Sequence, residues 1–225
     1  MKSPFINIHI HKPCGEHVLC IRNLFPDDFY EKKEKHFGYF SVGIHPWYIK
    51  DAETLGKQLN VLEELVNHKG CLAIGEAGLD KVTETGWDLQ EKAFIEQIRI
   101  SERSGKPMII HCVKAWDEIL KLRKQEKPTV PWIIHGFNSS EQMARQLLDA
   151  GCRLSFGKMI MKPDSKTANV LMNLKFDDFF LETDDAEIMI EQVYEKASEI
   201  RNESIEDLKL QQCNNFELIF GISPH

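Results

Sequence analysis

Six residues able to bind a divalent metal stand at the ends of short apolar runs: His9 and His11, Glu76, His111, His135 and Asp184. Imidazole and carboxylate together suit zinc, manganese, iron or nickel, whereas calcium prefers all-oxygen cages. In an extended strand, residues two apart project to the same side, so His9 and His11 can grip one ion together. Four imidazoles and two carboxylates exceed the three or four protein ligands that one hydrolytic metal uses. The surplus implies two ions sharing a bridging carboxylate, with Glu76 the natural bridge. Such a pair lies ~3.5–4 Å apart and can hold both the attacking and the leaving oxygen of a phosphoester. The chemistry expected is divalent-metal-dependent hydrolysis.

The elements that must position these residues follow from the hydrophobic pattern. Apolar runs at Phe5–Ile10, Tyr39–Ile44, Cys71–Ile74, Met108–Ile110, Trp132–Ile134, Cys152–Phe156 and Phe179–Leu181 read as strands buried on both faces. Amphipathic segments lie between them. Leu55, Leu59, Leu62 and Val66 form one helical face, with Asp51 placed to cap its start and Gly70 to end it. Phe94 and Ile98 mark a second helix, stopped near Gly105. Trp116, Ile119, Leu120 and Arg123 mark a third. Met143, Leu147 and Leu148 mark a fourth, capped by Ser139 or Ser140 and ended at Gly151. Ile188 to Ile200 and Ile205 to Phe220 also read as helical. This alternation predicts an α/β fold with a parallel sheet, a TIM-type (β/α) barrel of seven or eight units, regular or distorted. An open doubly wound sheet is the alternative. In a barrel the metal-binding strand ends all meet at one face. No G-x-G-x-x-G or G-x-x-x-x-G-K-[ST] follows a strand, so nucleotide-cradling loops are not expected.

With 225 residues, no repeat and no Pro/Gly/Ser-rich linker, the chain reads as a single hydrolase domain over 1–225. Its formal charge of −7 argues against a broad basic surface that coats nucleic acid. No apolar run approaches the ~20 residues of a membrane helix. The opening Met1-Lys2-Ser3-Pro4 and the stretch after it are too short and polar for a signal peptide, so a cytoplasmic protein is expected. Cys14, Cys20, Cys71, Cys112, Cys152 and Cys213 form no C-x-x-C pair, and those bordering apolar runs read as reduced, buried thiols.

Several segments resemble the TatD deoxyribonucleases, metal-dependent enzymes of the amidohydrolase-like barrels. They are Ile6-Asn7-Ile8-His9-Ile10-His11, Val42-Gly43-Ile44-His45-Pro46-Trp47, Ala73-Ile74-Gly75-Glu76-Ala77-Gly78-Leu79-Asp80, Pro107-Met108-Ile109-Ile110-His111, His135-Gly136-Phe137 and Leu181-Glu182-Thr183-Asp184. The resemblance implies that His9, His11, Glu76 and Asp184 hold one ion, and that Glu76, His111 and His135 hold the second. It implies that Asp184 orients or deprotonates the attacking water, so that Asp184 and Glu76 serve the chemical step. The ions would be magnesium, manganese or zinc. The implied activity is that of a deoxyribonuclease or phosphodiesterase. Its partner would be DNA with single-stranded or frayed ends, or a small phosphodiester.

The chain departs from the family pattern at named places. Asn7 stands for Asp, Lys12-Pro13 for Leu-Asp, Lys81 for Tyr and Val113-Lys114 for Arg-Asp. The Pro- and Arg-rich loop after the final Asp is missing, and Asp185-Ala186-Glu187 runs into a helix. These departures, with the negative charge, keep a second function open: hydrolysis of a small amide, lactone or phosphoester on the same metals. A third, a non-catalytic binding protein, is disfavoured by the complete ligand set. His45 and Lys114 are candidates for substrate contact, and Lys158 for offsetting phosphate charge. His45 could instead support a ligand or sit in a turn before Pro46. Asp80 either bonds a ligand histidine or closes a loop ion pair. Trp47 and Trp87 could stack on bases, with core or rim packing the favoured reading, and Met159-Ile160-Met161 is read as packing. His17, His36, His68 and His225 fit no strand end and are expected on the surface.

Overall fold

A computed structural model describes residues 3–27 and 38–224; His36 and His225 lie outside the described residues. Eight strands line up in chain order in one sheet: β1 (Phe5–Ile10), β2 (Val18–Leu24), β3 (Phe40–Val42), β4 (Cys71–Asp80), β5 (Met108–Val113), β6 (Trp132–Ile134), β7 (Cys152–Phe156) and β8 (Phe179–Leu181). The paired registers of β1–β2, β3–β4, β4–β5 and β7–β8 are all parallel. Seven of these strands match the apolar runs. β2 does not, because Arg22 and Asn23 interrupt its run.

Among the described residues seven α-helices of eight residues or more lie between or after the strands: α1 (Ala52–Leu65), α2 (Trp87–Ser104), α3 (Trp116–Glu126), α4 (Glu141–Asp149), α5 (Lys166–Asn173), α6 (Ile190–Arg201) and α7 (Ile205–Phe220). Capping follows the sequence. Asp51 accepts the Thr54 N–H at 2.7 Å, Ser140 accepts that of Met143 at 3.2 Å, and Gly105 closes α2 in the left-handed region. α1 ends at Leu65, with Val66 as its C-cap, rather than at Gly70. α6 begins at Ile190, two residues later than the pattern suggests, with Gln192 accepting the Met189 backbone N–H at 2.9 Å. α5 carries no signal strong enough to have been expected. Met159-Ile160-Met161 lies in a single 3-10 turn, Lys158–Met161, with Ile160 buried.

Packing divides the chain into two units. One comprises the residues up to Arg22 together with those from Ile134 onward; the other is Asn23–Ile133. In the first, Ile6, Ile8, Leu154, Phe156, Phe179, Leu181, Val193 and Phe216 are buried, and the buried Tyr194 hydroxyl both accepts from the Ile6 N–H (3.1 Å) and donates to the Ile6 carbonyl (3.2 Å). There β1 reaches the chain just beyond β8 through a parallel bridge between Ile10 and Asp184.

In the second unit all ten residues of β4 are buried, beside Phe40, Leu62, Phe94, Ile98, Ile109 and Trp132. The I-G-E-A-G-L-D glycines have a packing reason. A Cβ on Gly75 would collide with the Ile109 carbonyl, and one on Gly78 with the His111 carbonyl, so glycine lets β4 lie against β5. Among the described residues, no helix is long and apolar enough to cross a membrane.

The cysteines differ in part from expectation. Cys71 and Cys152 are free and buried, and Cys112 and Cys213 are also free, but Cys14 and Cys20 pair as a disulfide. Cys14 lies in the β1–β2 loop and Cys20 in β2, and the fold brings their Cα atoms to 6.4 Å, a closeness that a separation of six residues does not reveal.

Candidate functional site

In the first unit β1 delivers His9 and His11 to the same side, their ring centroids 5.0 Å apart. The bridge beyond β8 fixes Asp184 between them: its N–H donates to the His9 carbonyl at 3.0 Å, and its own carbonyl accepts the His11 N–H at 3.4 Å. Asp184 adopts left-handed backbone at φ 55°, which Asp tolerates better than most residues. One oxygen, Oδ1, lies 3.6 Å from His9 Nε2 and 3.3 Å from His11 Nε2. Burial would raise this carboxyl, but hydrogen bonds from His11 and His9 and the charge of His135 outweigh burial and hold it well below the usual carboxylate range.

His135 follows β6, its ring centroid 4.4 Å from that of His9. Its Nδ1 is 3.4 Å from Glu182 Oε1, which accepts the Gly136 N–H at 2.8 Å. Sequence reasoning singled out Asp184 from Glu182-Thr183-Asp184 and gave Glu182 no role. The available signal was an acid two residues before the ligand, at the same strand end. Lys158 holds Asp185 at 2.6 Å and comes within 3.6 Å of Asp184 Oδ2.

The second unit holds a separate cluster. Glu76 Oε1 lies 2.7 Å from His111 Nδ1 and 3.2 Å from His45 Nε2. The hydrogens follow from the partners. Asp80 bonds the far side of His111, Oδ2 to Nε2 at 3.1 Å, and a carboxylate only accepts, so the hydrogen sits on Nε2. His111 Nδ1 then turns a lone pair toward Glu76, and two acceptors at 2.7 Å call for a proton or a cation between them. His45 is set the other way round. Its Nδ1 accepts the Trp47 N–H at 3.1 Å, so its Nε2 carries the hydrogen and donates toward Glu76. His45 thus behaves as a donor beside the cluster. Asp80 does what one of its two readings expected: it orients His111. Lys114 is exposed, with left-handed backbone at the end of β5. Lys81 pairs with Glu118 at 2.6 Å. His17 and His68 are exposed as expected.

Both clusters suit a divalent ion. His9, His11 and Asp184 each offer one ligand atom, all within 4.8 Å of one another; Glu76 and His111 are as close, with the His45 N–H beside them. Metal–ligand bonds of ~2.1 Å at right angles set donors ~3 Å apart, close to the spacings found.

Residues 28–221 match the family model described as TatD related DNase. The chain belongs to the TatD family. Among TatD-family relatives, a metal-dependent hydrolase of uncharacterised activity, YabD of Bacillus subtilis, is 30% identical over 155 residues, 68% of this chain and 60% of that protein. A similarly described hydrolase of Haemophilus influenzae is 27% identical over 175 residues, 74% of this chain and 63% of its own length. The chain thus spans less than two thirds of these relatives. The solved structure of YjjV, a TatD homologue from Escherichia coli, superposes with a TM-score of 0.84 at 21% identity, covering 97% of this chain and 98% of that one. The fold is accordingly the TIM-type (β/α) barrel expected, with eight strands.

Proposed function

We propose that this TatD-family chain is a phosphodiesterase of the deoxyribonuclease type, acting on single-stranded or frayed DNA ends. One divalent ion would be held by His9, His11 and Asp184, with His135 as a further ligand beside His9, and another by Glu76 and His111. The observation that carries the reading is the Asp184 carboxylate, kept anionic while one of its oxygens meets two imidazole nitrogens. When bound, such ions polarise a phosphoryl oxygen and make water a stronger nucleophile at neutral pH. The remaining work falls to the chain's own groups. Asp184, whose Oδ1 faces both imidazoles, is placed to orient or deprotonate the attacking water. Glu182 fixes the His135 ring, and Asp80 fixes that of His111. His45 offers an N–H donor to an anionic oxygen.

A second reading, a hydrolase of a small amide, lactone or phosphoester on the same residues, has one observation in its favour. Lysines flanking Asp184 are already engaged by acids, Lys158 by Asp185 and Lys12 by Glu187, which leaves little charge for a polyanion. A cytoplasmic location belongs to the proposal, and the Cys14–Cys20 pairing is the observation against it.

The deciding experiment is a hydrolysis assay with manganese, magnesium or zinc added back. Substrates are end-labelled single-stranded DNA, an aryl phosphodiester and a panel of amides and lactones. Metal-dependent DNA cleavage supports the first reading. Turnover of a small ester, lactone or amide with intact DNA replaces it by the second.

A further inference from the structure

Trp47 is 57% exposed, so of the two packing positions expected it takes the rim and not the core. It is not loose. Its indole N–H donates to Asp80 Oδ2 at 2.6 Å and its backbone N–H to His45. Its ring meets the His45 and His111 rings edge to face, with centroids 5.0 and 6.1 Å away. Pro46 and the 3-10 turn Pro46–Tyr48 fix the backbone that carries it. The other oxygen of Asp80 accepts the Val82 N–H at 2.7 Å, and Val82 is 63% exposed. One buried carboxylate therefore holds three things: the imidazole of His111, an open indole and the backbone of an open valine. A single exposed apolar side chain is ordinary on a protein surface; what sets Trp47 apart is that its open ring is pinned by Asp80 against the His45 and His111 rings beside the Glu76–His111 cluster. An indole presents a flat face to any π-system and needs no sequence-specific partner.

We propose that Trp47 is the platform for a planar aromatic group of the substrate, such as a nucleobase, with Val82 as an apolar contact at its edge. The position of that group relative to the bond cleaved rests on the hydrolase reading of the Glu76–His111 cluster; the platform itself does not. Stacking of a base on an aromatic side chain is worth about 5- to 100-fold in affinity when the aromatic is removed.

The test measures binding rather than turnover. Dissociation constants are determined by calorimetry for deoxyadenosine monophosphate and for deoxyribose 5-phosphate, which lacks the base, with wild type, Trp47→Ala and Trp47→Phe. Wild type should prefer the base-bearing probe. Trp47→Ala should lose about 5- to 100-fold on that probe alone, while Trp47→Phe, which keeps a ring but no N–H, should lose only a small part of it. Equal loss in both variants on both probes would show that Trp47 acts only through Asp80 and His111, and would overturn the proposal. So would a wild type with no preference for the base, including one that binds neither probe. Thermal unfolding of each variant separates misfolding from loss of the platform. If no substrate is hydrolysed yet the preference for the base depends on the ring, the hydrolase reading fails and the platform stands; hydrolysis without that preference gives the converse.

Discussion

Asn7 and Thr183 bond to each other twice: the Asn7 amide donates to the Thr183 hydroxyl at 2.8 Å, and the Asn7 carbonyl accepts the Thr183 N–H at 3.2 Å. Both are buried, and the pair ties the middle of β1 to the residue before Asp184. Asn7→Leu keeps the bulk but strands a buried backbone donor. Each unsatisfied group costs about 1–3 kcal/mol, so the variant should unfold at lower denaturant with an unchanged slope. A midpoint equal to wild type would mean that the pair contributes nothing.

Glu182 offers a test of how His135 is held. Its Oε1 bonds the Gly136 N–H and faces His135 Nδ1. Glu182→Ala frees the ring without removing a proposed ligand. Losing such an orienting partner weakens metal affinity roughly 10–100-fold, which manganese titration calorimetry reads directly. Unchanged affinity would take Glu182 out of the site.

Much of this site was legible because ligand-type residues follow apolar runs, a pattern that carries its own geometry. H-x-H in a strand puts both rings on one side, as His9 and His11 show. The Asp51 cap was readable because capping is a matter of three residues. Neighbours far apart in sequence were not readable. Asn23 lies in the strand that was missed, yet its side-chain oxygen accepts both the Glu76 N–H at 2.7 Å and the Ser41 hydroxyl at 3.1 Å. Nothing local announces that His45 faces Glu76, nor that Trp47 stays open to water; strand order decides both. Asp80 is intermediate: its position was suspicious, and only its partners gave it a role.

Metal content should separate the two clusters. Wild type is expected to take up one to two ions, and Asp184→Ala and His111→Ala should each lose roughly one of them, since each removes one of the few ligands an ion has. Hydrolysis should fall by about 10²–10⁴-fold in Asp184→Ala and in Glu76→Ala. Elemental analysis after re-addition of manganese, magnesium or zinc measures the first quantity, and kcat under matched metal the second. Stoichiometry near zero with all three metals would sink the metal reading.

The thiols give a check with a pH dependence. Unfolded without reductant, the chain should titrate four thiols, Cys71, Cys112, Cys152 and Cys213, and all six after reduction. Six before reduction would refute the Cys14–Cys20 pairing. In the folded protein burial pushes the Cys71 thiol up to about 11. At pH 8 only about one molecule in 1,000 then carries the thiolate, and its reaction with an alkylating reagent should rise roughly tenfold per pH unit toward that value.

Binding of single-stranded DNA should depend only weakly on salt. The reason lies in where the cations are. Lys158 is bound to Asp185 and lies near Asp184, Lys12 is bound to Glu187, and Lys81 to Glu118. Each would have to leave an acid before it could take a phosphate, and the chain as a whole carries −7. Affinity for a single strand falls with a logarithmic slope of about −0.7 per phosphate neutralised. One or two phosphate contacts therefore give a slope between roughly −0.7 and −1.4. Fluorescence anisotropy of a labelled single-stranded oligonucleotide across a salt titration measures it. A slope steeper than about −3 would require four or more released counterions. It would show that the paired lysines do open toward the strand, and it would remove the observation that favours a small neutral substrate.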